Sequence, residues 1–301
     1  MNKLTTLVLV MGCCMVTLTV HAQNFKDYLS KYTDENGRGY MQPAADALGA
    51  NLNTGWFHSA SLKKMEPQVY IGLVGMITMV PDSKKTFLAT PEGLFTPKTP
   101  TEVSTVFGSG ESVTIDGEGG TSYSFPGGLD VKAVPLAAPQ LSVGSVLGTD
   151  LSLRFLAYNF KKEDIGGKVN LFGFGVRHSI SQYLPAMPAQ LALAYYWTTA
   201  SVGSVMDAKA SLISLQSSYS VKVLTFYGGL GYEMASTDIA YTYEGEEGAE
   251  EDISFELEGS NNVRLTLGVG LNLGPVRLHT DYNIADQSVF SFGLGFGFRD
   301  K

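Results

Sequence analysis

Apolar and small or polar residues alternate with a period of two through most of the second half of the chain. In VRLTLGVGLNL, from Val263 to Leu273, one face carries Val and Leu and the other carries Arg, Thr, Gly and Asn. In VFSFGLGFGF, from Val289 to Phe298, Phe or Leu stands at every second position from Phe290, with only Ser and Gly between them. Alternation of this length predicts β-strands with one apolar face.

Five other stretches of the chain repeat this pattern. Each has an apolar face opposite a face of Gly, Ser, Thr and charged residues. A transmembrane β-barrel needs this arrangement, because its outward side chains contact lipid and its inward ones line a polar lumen. A soluble β-sandwich also alternates. The barrel is favoured by strands of about ten residues and by a charged fraction of 17%, against roughly 25% in soluble proteins. The stretches are TDLSLRFLAYNF, NLFGFGVRHSI, LALAYYWT, LTFYGGLGYEM and VRLHTDYNI.

Counting back from the C-terminus gives nine strands from Leu136 onward, with tight turns alternating with polar links. We expect two more strands in Leu52–Leu62 and Gln68–Val80, and one within Thr86–Phe107. The predicted fold is all-β, an antiparallel transmembrane β-barrel of about twelve strands, with ten or fourteen as alternatives and both termini at the short-turn end. Residues 96–135 are rich in Gly and Pro, and we expect them to form a long outer loop or an inward-folded lid.

Residues 1–22 have the pattern of a secretory signal peptide, since Lys3 precedes an apolar run and small residues precede a cleavage site after Ala22. A retained anchor and lipid attachment at Cys13 or Cys14 are the alternatives. A leader followed by a barrel predicts export to the outer membrane of a Gram-negative bacterium. The expected partners are outer-membrane lipid, lipopolysaccharide and the barrel-assembly machinery.

Residues 23–50 differ from the rest of the chain. Apolar residues between Phe25 and Tyr32 fall at helical spacing, and Tyr40–Leu48 predicts a second short helix with Gly49 at its end. We expect this helical lead-in to plug the lumen or to lie in the periplasm. The barrel itself is expected to comprise residues 51–301.

Charge and cysteine content narrow the possibilities further. With 21 Lys and Arg against 29 Asp and Glu, the net charge is −8 and no basic face stands out, so a general nucleic-acid binder is excluded. Both cysteines precede the expected cleavage site, so we expect a mature protein without disulfides. The four His are scattered along the chain, which predicts neither a metal site nor a cofactor.

Three stretches of the chain resemble a known family: GYMQPAADALGANLNTGWFHSA (Gly39–Ala60), GVRHSISQYLP (Gly175–Pro185) and LHTDYNIADQSVFSFGLGFGFR (Leu278–Arg299). The family consists of outer-membrane β-barrels from Bacteroidota and is known only as a domain of unknown function. The resemblance implies the barrel and its compartment, and it brings no ligand or catalytic residues. In plan, a helical lead-in before a barrel is also similar to FadL-type transporters of hydrophobic compounds, by analogy of architecture.

Candidate functional residues fall into three sets. A polar cluster on the inward face is expected to form either a salt-bridge network or a constriction that selects solutes; its members are Arg154, Arg177, Glu233, Arg264, Arg277, His279 and Asp281. Four aromatic residues are expected at the membrane interfaces, namely Trp56, Trp197, Tyr282 and Phe298. An acidic run is expected to form a solvated outer loop, with Glu244, Glu246, Glu247, Glu250, Glu251 and Asp252.

These features predict a passive channel or a transporter of small solutes or hydrophobic compounds, with an unidentified ligand. The alternative is a closed structural or surface-interaction barrel without transport. A third possibility, an outer-membrane lipid-modifying enzyme, is disfavoured because His178 and Ser179 point to opposite faces of one strand. We therefore expect no enzymatic activity.

Overall fold

The computed structural model describes residues 27–159, 168–184, 187–244 and 250–298. The predicted signal peptide lies outside the described residues. The helix and strands are, in chain order, α1 (Asp34–Leu52), β1 (Gln68–Met79), β2 (Thr86–Ala89), β3 (Thr101–Ser104), β4 (Val113–Asp116), β5 (Ser122–Phe125), β6 (Ala133–Val146), β7 (Thr149–Asn159), β8 (Lys168–Ser179), β9 (Gln190–Val202), β10 (Met206–Val221), β11 (Leu224–Glu244), β12 (Glu250–Glu258), β13 (Val263–Leu273), β14 (Val276–Ile284) and β15 (Val289–Phe298).

Ten of the described strands form one closed antiparallel barrel. Its order is β1, β6, β7, β8, β9, β10, β11, β13, β14 and β15, and β15 returns to pair with β1. An extra strand, β12, pairs with the distal half of β11, from Ser236 to Glu244, beyond the closed wall. The structure therefore confirms the predicted all-β barrel.

The alternating sequence separates the two faces of the wall as predicted. On β15, Phe290, Phe292 and Phe296 are 43%, 44% and 59% exposed, whereas Ser291 between them is fully buried. Such a band of exposed rings and aliphatic side chains runs around the barrel and suits contact with hydrocarbon. Closure pairs the strand edges, which the absence of water within a bilayer requires.

Two of the expected strands are not part of the wall, so ten strands close the barrel, the smaller alternative to twelve. The nine strands from residue 136 onward and β1 lie where they were expected. Leu52–Leu62 is instead the end of α1 and an irregular segment inside the lumen, where neighbours Trp56 and Phe57 are both buried. Its apolar residues alternate like those of a strand, but neighbouring side chains point in different directions and all pack within the lumen.

Thr86–Phe107 contributes a small hairpin, β2 with β3, separate from the barrel. Within residues 96–132, which we call the lid, residues 103–108 and 125–128 are buried, whereas the rest, including the hairpin of β4 with β5, is exposed or half-buried. The segment thus combines features of both expected arrangements, an outer loop and an inward-folded lid, and residues 133–135 already belong to β6. The lid binds α1 directly: Val106 N–H donates to the Tyr40 carbonyl at 3.1 Å, and Tyr40 Oη donates to the Gly127 carbonyl at 3.1 Å. Phe107 and Phe125 are buried in the apolar core formed there.

The C-terminal part of α1 lies inside the barrel, against β1, β6, β9, β10 and β11, and its N-terminal part packs against β12 beyond the closed wall. There Arg38 Nη1 donates to the Glu256 carbonyl at 3.0 Å. The helix continues past Gly49, where the sequence predicted its end. A Cβ added to Gly49 would approach the Ala235 Cβ within 2.5 Å, so this glycine allows close contact with the wall.

The N-terminal segment runs through the lumen from one end of the barrel to the other. At the end with the lid, the Ser30 carbonyl accepts from Glu244 N–H at 2.8 Å. At the opposite end, which has the short turns and the end of β15, the Lys64 carbonyl accepts from Gly148 N–H at 3.1 Å. The expectation that both termini lie at one end is therefore wrong for the described N-terminal residues. In the described part of the chain, no helix is long and apolar enough to cross a membrane.

We predict that charge on the outer face of the wall destabilises the protein in lipid. Leu267, in β13, is 54% exposed on that face. Leu267→Arg should lower the free energy of unfolding in lipid vesicles by about 2–4 kcal/mol, measured by urea titration. The matched substitution Ser254→Arg on the exposed face of β12, outside the barrel, should change it little. Equal effects at the two positions would contradict a lipid-facing Leu267.

Candidate functional site

The candidate site is the lumen, where wall side chains meet the segment that fills it. We call residues 34–62 the plug. All seven members of the predicted polar cluster point inward, and each is at most 8% exposed. They are brought together by the alternation of the strands that carry them, and most of them contact the plug or one another.

Arg154 of β7 holds the middle of the plug. Its Nη1 donates to the Thr54 carbonyl at 2.7 Å, and its Nε donates to Gln140 Oε1 at 2.8 Å. The guanidinium carbon lies 4.0 Å from the centre of the Trp56 ring, a cation–π contact. The other side of Trp56 stacks on Tyr196 at 4.8 Å between centroids. This indole is therefore clamped between two side chains of the wall.

The predicted position of Trp56 at the membrane interface is wrong, because this residue is 1% exposed and belongs to the plug. The other three predicted interfacial residues lie on strands and face outward. Tyr282 and Phe298 are 48% and 59% exposed, and Trp197 is half-buried beside Phe174.

Arg264 of β13 forms a second attachment. Its Nη2 lies 2.8 Å from Glu233 Oε2, and the two side chains form a buried ion pair. The same guanidinium donates to Thr54 Oγ1 at 2.6 Å and to the Ala50 carbonyl at 3.0 Å. One arginine thus joins two wall strands to the C-terminal end of α1.

Arg177 of β8 forms the third attachment, nearer the short-turn end. It binds Asp150 through two hydrogen bonds, from Nε at 2.9 Å and from Nη2. Its Nη1 donates to the Ser59 carbonyl of the plug at 2.6 Å. Asp150 was not among the predicted residues, although it shares the inward face of β7 with Arg154 and lies opposite Arg177 in the ladder.

Two members of the cluster serve the wall itself. Arg277 donates to the Gly274 carbonyl at 2.5 Å and so braces the turn between β13 and β14. Asp281 accepts from Tyr227 Oη at 2.9 Å and from Asn283 Nδ2 at 2.5 Å. Neither set of bonds involves the plug backbone.

His279 faces a second histidine that the sequence analysis did not select. The His58 ring of the plug stacks on the His279 ring of β14 at 4.8 Å between centroids. Tyr70 of β1 packs beside His58 at 4.6 Å. Only the path of the plug brings His58 here, so no local signal could have identified the pair.

Little open space remains around the plug. One lumen cavity beside Asn53 and Thr266 has a volume of about 10 Å³, and another beside Ser61 and Ser142 has about 20 Å³. Each is large enough for about one water molecule. Beside the arginines, Thr54 and Trp56 of the plug are at most 1% exposed, so the plug fills the lumen at this level.

The acidic run is not the loop that was expected. Glu244 ends β11, and Glu250, Glu251 and Asp252 begin β12, where they pair with β11 in a hairpin that extends beyond the barrel. Glu246 and Glu247 lie outside the described residues. Among the described residues, no group of three or more His, Cys, Asp or Glu side chains is placed to hold a metal ion.

The chain has only two tryptophans, so the position of the plug can be tested by fluorescence. With Trp197→Phe, the remaining Trp56 should resist quenching by brominated lipids, because it is buried in the lumen. With Trp56→Phe, the remaining Trp197 should be quenched from the outward face. Quenching of Trp56 as strong as that of Trp197 would contradict the lumenal plug.

Comparison with solved structures gives outer-membrane β-barrels. A loop-deletion mutant of OmpT, an outer membrane protein of Vibrio cholerae, is 14% identical over 77% of this chain and 99% of that chain, with a TM-score of 0.28. Ail, the attachment invasion locus protein of Yersinia pestis, is 11% identical over 77% and 97%, with a TM-score of 0.21. The toluene transporter TbuX of Ralstonia pickettii is 10% identical over 90% and 99%, with a TM-score of 0.27. Likenesses this weak transfer no function.

Comparison with curated proteins found no match. A family model, described as a family of unknown function and named DUF6588, matches residues 1–298. This match covers all of the barrel and the plug together, so the two parts are features of one family. The chain belongs to DUF6588, a family of unknown function.

Proposed function

We propose that this protein is an outer-membrane transporter whose pathway is closed by its own plug and opens when the plug is displaced. The observation that carries the proposal is the attachment of the plug backbone to three wall arginines. Arg154, Arg177 and Arg264 each donate to a plug carbonyl at 2.6–3.0 Å. These bonds join the wall to the plug at three carbonyls along the plug, those of Ala50, Thr54 and Ser59.

The nature of these bonds supports a movable plug. A hydrogen bond from a charged group contributes about 1.5–3 kcal/mol net, and water can replace it on both partners. Burial of an apolar segment in an apolar wall would offer no such replacement. Water can therefore replace the three arginine attachments of the plug, and the wall that they leave behind is polar at these positions.

The width of the barrel also supports a separate plug. Barrels of about eight strands are filled by their own wall side chains. Ten strands leave more space, and this chain fills it with a helix and an irregular segment. The proposal includes export through a cleaved signal peptide, insertion by the barrel-assembly machinery and contact with outer-membrane lipid and lipopolysaccharide.

A second candidate function is a closed barrel that displays an interaction surface. It is favoured by the apolar core under the lid, in which Leu29, Tyr40 and Phe125 are buried at the end with the long loops. A core of this kind gives the lid a fixed shape. Catalysis is not part of either proposal: His178 binds Thr149 at 2.8 Å and Tyr183 at 3.1 Å, while Ser179 is buried on the other face.

Weakening the plug attachments should open the pathway. We predict that the double variant Arg154→Gln/Arg177→Gln gives conductance steps in planar lipid bilayers far more often than the unmodified protein, because two of the three arginine attachments are shortened and uncharged. The measurement is the frequency of steps per inserted barrel. Mild urea should have the same effect, reversibly, on the unmodified protein.

Arg277→Gln is the matched control, since Arg277 also faces inward but donates to the Gly274 carbonyl of the wall. It should leave the step frequency unchanged. If the double variant and the urea-treated protein both stay silent while folded, the transporter proposal is wrong and the closed barrel is favoured.

A further inference from the structure

The wall of the barrel has an incomplete seam between β6 and β7. These strands pair from Val146 with Thr149 up to Gln140 with Arg154, and the pairing stops there. Beyond that point, the ladder of residues 133–139 of β6 continues with β1, and that of residues 155–157 of β7 continues with β8, without pairs between the two strands. We call this unpaired part of the seam the split.

Two prolines explain why the ladder ends. Pro135 and Pro139 lie four residues apart in β6, and proline has no N–H to donate. The pairing of β6 with β1 continues without interruption past both residues, so their nitrogens face β7. A strand edge without these donors cannot complete a ladder with its neighbour. The split is thus encoded in β6.

The outer face beside the split is apolar, since Phe155 of β7 is 63% exposed there. Pro135 pairs across β1 with Ile77, and Ile77 pairs in turn with Phe290, which is 43% exposed on the outer face. Unpaired backbone at this face is costly in hydrocarbon. Its presence in an otherwise continuous wall points to a use.

Inward-facing residues at the split are less covered than those elsewhere. Leu136 of β6 and Leu156 of β7 are half-buried, whereas Met76, directly opposite Leu136 on β1, is fully buried. The seam therefore exposes apolar side chains of the interior.

Behind the split lies a packed cluster of apolar side chains, which we call the chamber. It consists of six buried residues: Leu52, Ala138, Leu171, Ala200, Ala208 and Ala210. Leu136 and Leu156 pack against this cluster from the two sides of the split. The wall contributes mostly alanines, and the chamber is filled by Leu48 and Leu52 of the plug. Withdrawal of these two leucines would leave an uncharged space with small walls.

We propose that the split is a lateral portal through which small uncharged apolar molecules pass between the chamber and the hydrocarbon layer. The inference rests on the proposed function, because the plug leucines must withdraw before a ligand enters. It names the substrate class, since a chamber lined by Ala and Leu offers nothing to a charged or polar solute. The arginines lie next to this route and not within it, since Arg264 binds Ala50 and Thr54 on either side of Leu52.

The experiment closes the split chemically in the folded protein. Ala137 and Ala157 would be opposite each other if the ladder continued, so the pair Ala137→Cys/Ala157→Cys can be joined by a short bismaleimide. The protein is reconstituted in vesicles, given adamantyl diazirine as the apolar probe, and irradiated before and after the linker is added. Labelled residues are identified by mass spectrometry, in the otherwise unmodified chain and with Arg154→Gln/Arg177→Gln.

We expect labelling of the buried chamber residues, Leu171 and Ala200 among them, before the linker is added, and its loss afterwards. Labelling of the outward Phe292 should stay the same throughout. The control pair Leu141→Cys/Leu153→Cys, where the strands are already paired, should keep chamber labelling when linked. Heat-modified migration on gels before linking verifies that both variants are folded.

Two results would overturn the portal: a chamber that stays unlabelled in both backgrounds, or labelling that persists after the split is linked. The proposed function is judged by a separate measurement. Conductance steps without chamber labelling would remove the portal and leave plug-gated transport intact. Chamber labelling that the linker abolishes, in a protein that never conducts, would retain the portal and reject the aqueous pathway.

Discussion

The structure depends on one constraint, that backbone N–H and C=O groups in hydrocarbon must pair within the protein. A sheet meets it by closing, and the pairing of β15 with β1 completes this wall. Closure at ten strands then creates a second requirement, because the lumen is wider than the wall side chains can fill. The plug fills this space, and its path explains the position of Trp56 and the contacts of the buried arginines.

Buried arginines connect the wall with the plug. Each needs several acceptors once it is out of water, and most backbone carbonyls of paired strands already accept from a neighbouring strand. The irregular segment after α1 supplies them, as the Thr54 and Ser59 carbonyls do for Arg154 and Arg177. Asp150 and Glu233 balance the charge of Arg177 and Arg264. Filling the lumen and satisfying its charges are therefore one arrangement, and a change in either disturbs the other.

The split between β6 and β7 is the exception to the rule of paired backbone. It coincides with two prolines, with alanines on the inner face and with leucines from the plug. The polar attachments and the apolar chamber lie next to each other in the lumen, because Arg264 binds Ala50 and Thr54 on either side of the chamber residue Leu52. The first holds the segment in place, while the second is the part that communicates with the side of the barrel.

The alternation of residues by itself determined the strands from residue 136 onward and the aromatic residues that face lipid from those strands. It also determined the inward position of all seven residues of the polar cluster, because side-chain direction in a strand follows from sequence parity. Only the tertiary structure decided the number of strands, the location of Trp56 and the contacts of His58 and Asp150. Leu52–Leu62 has the pattern of a strand, yet it lies within the lumen. A segment buried on all sides has no exposed face, so the alternation of its residues does not indicate a strand. Pairing joins residues distant in sequence, so the closure of the wall, its split and the route of the plug depend on neighbours that no local pattern specifies.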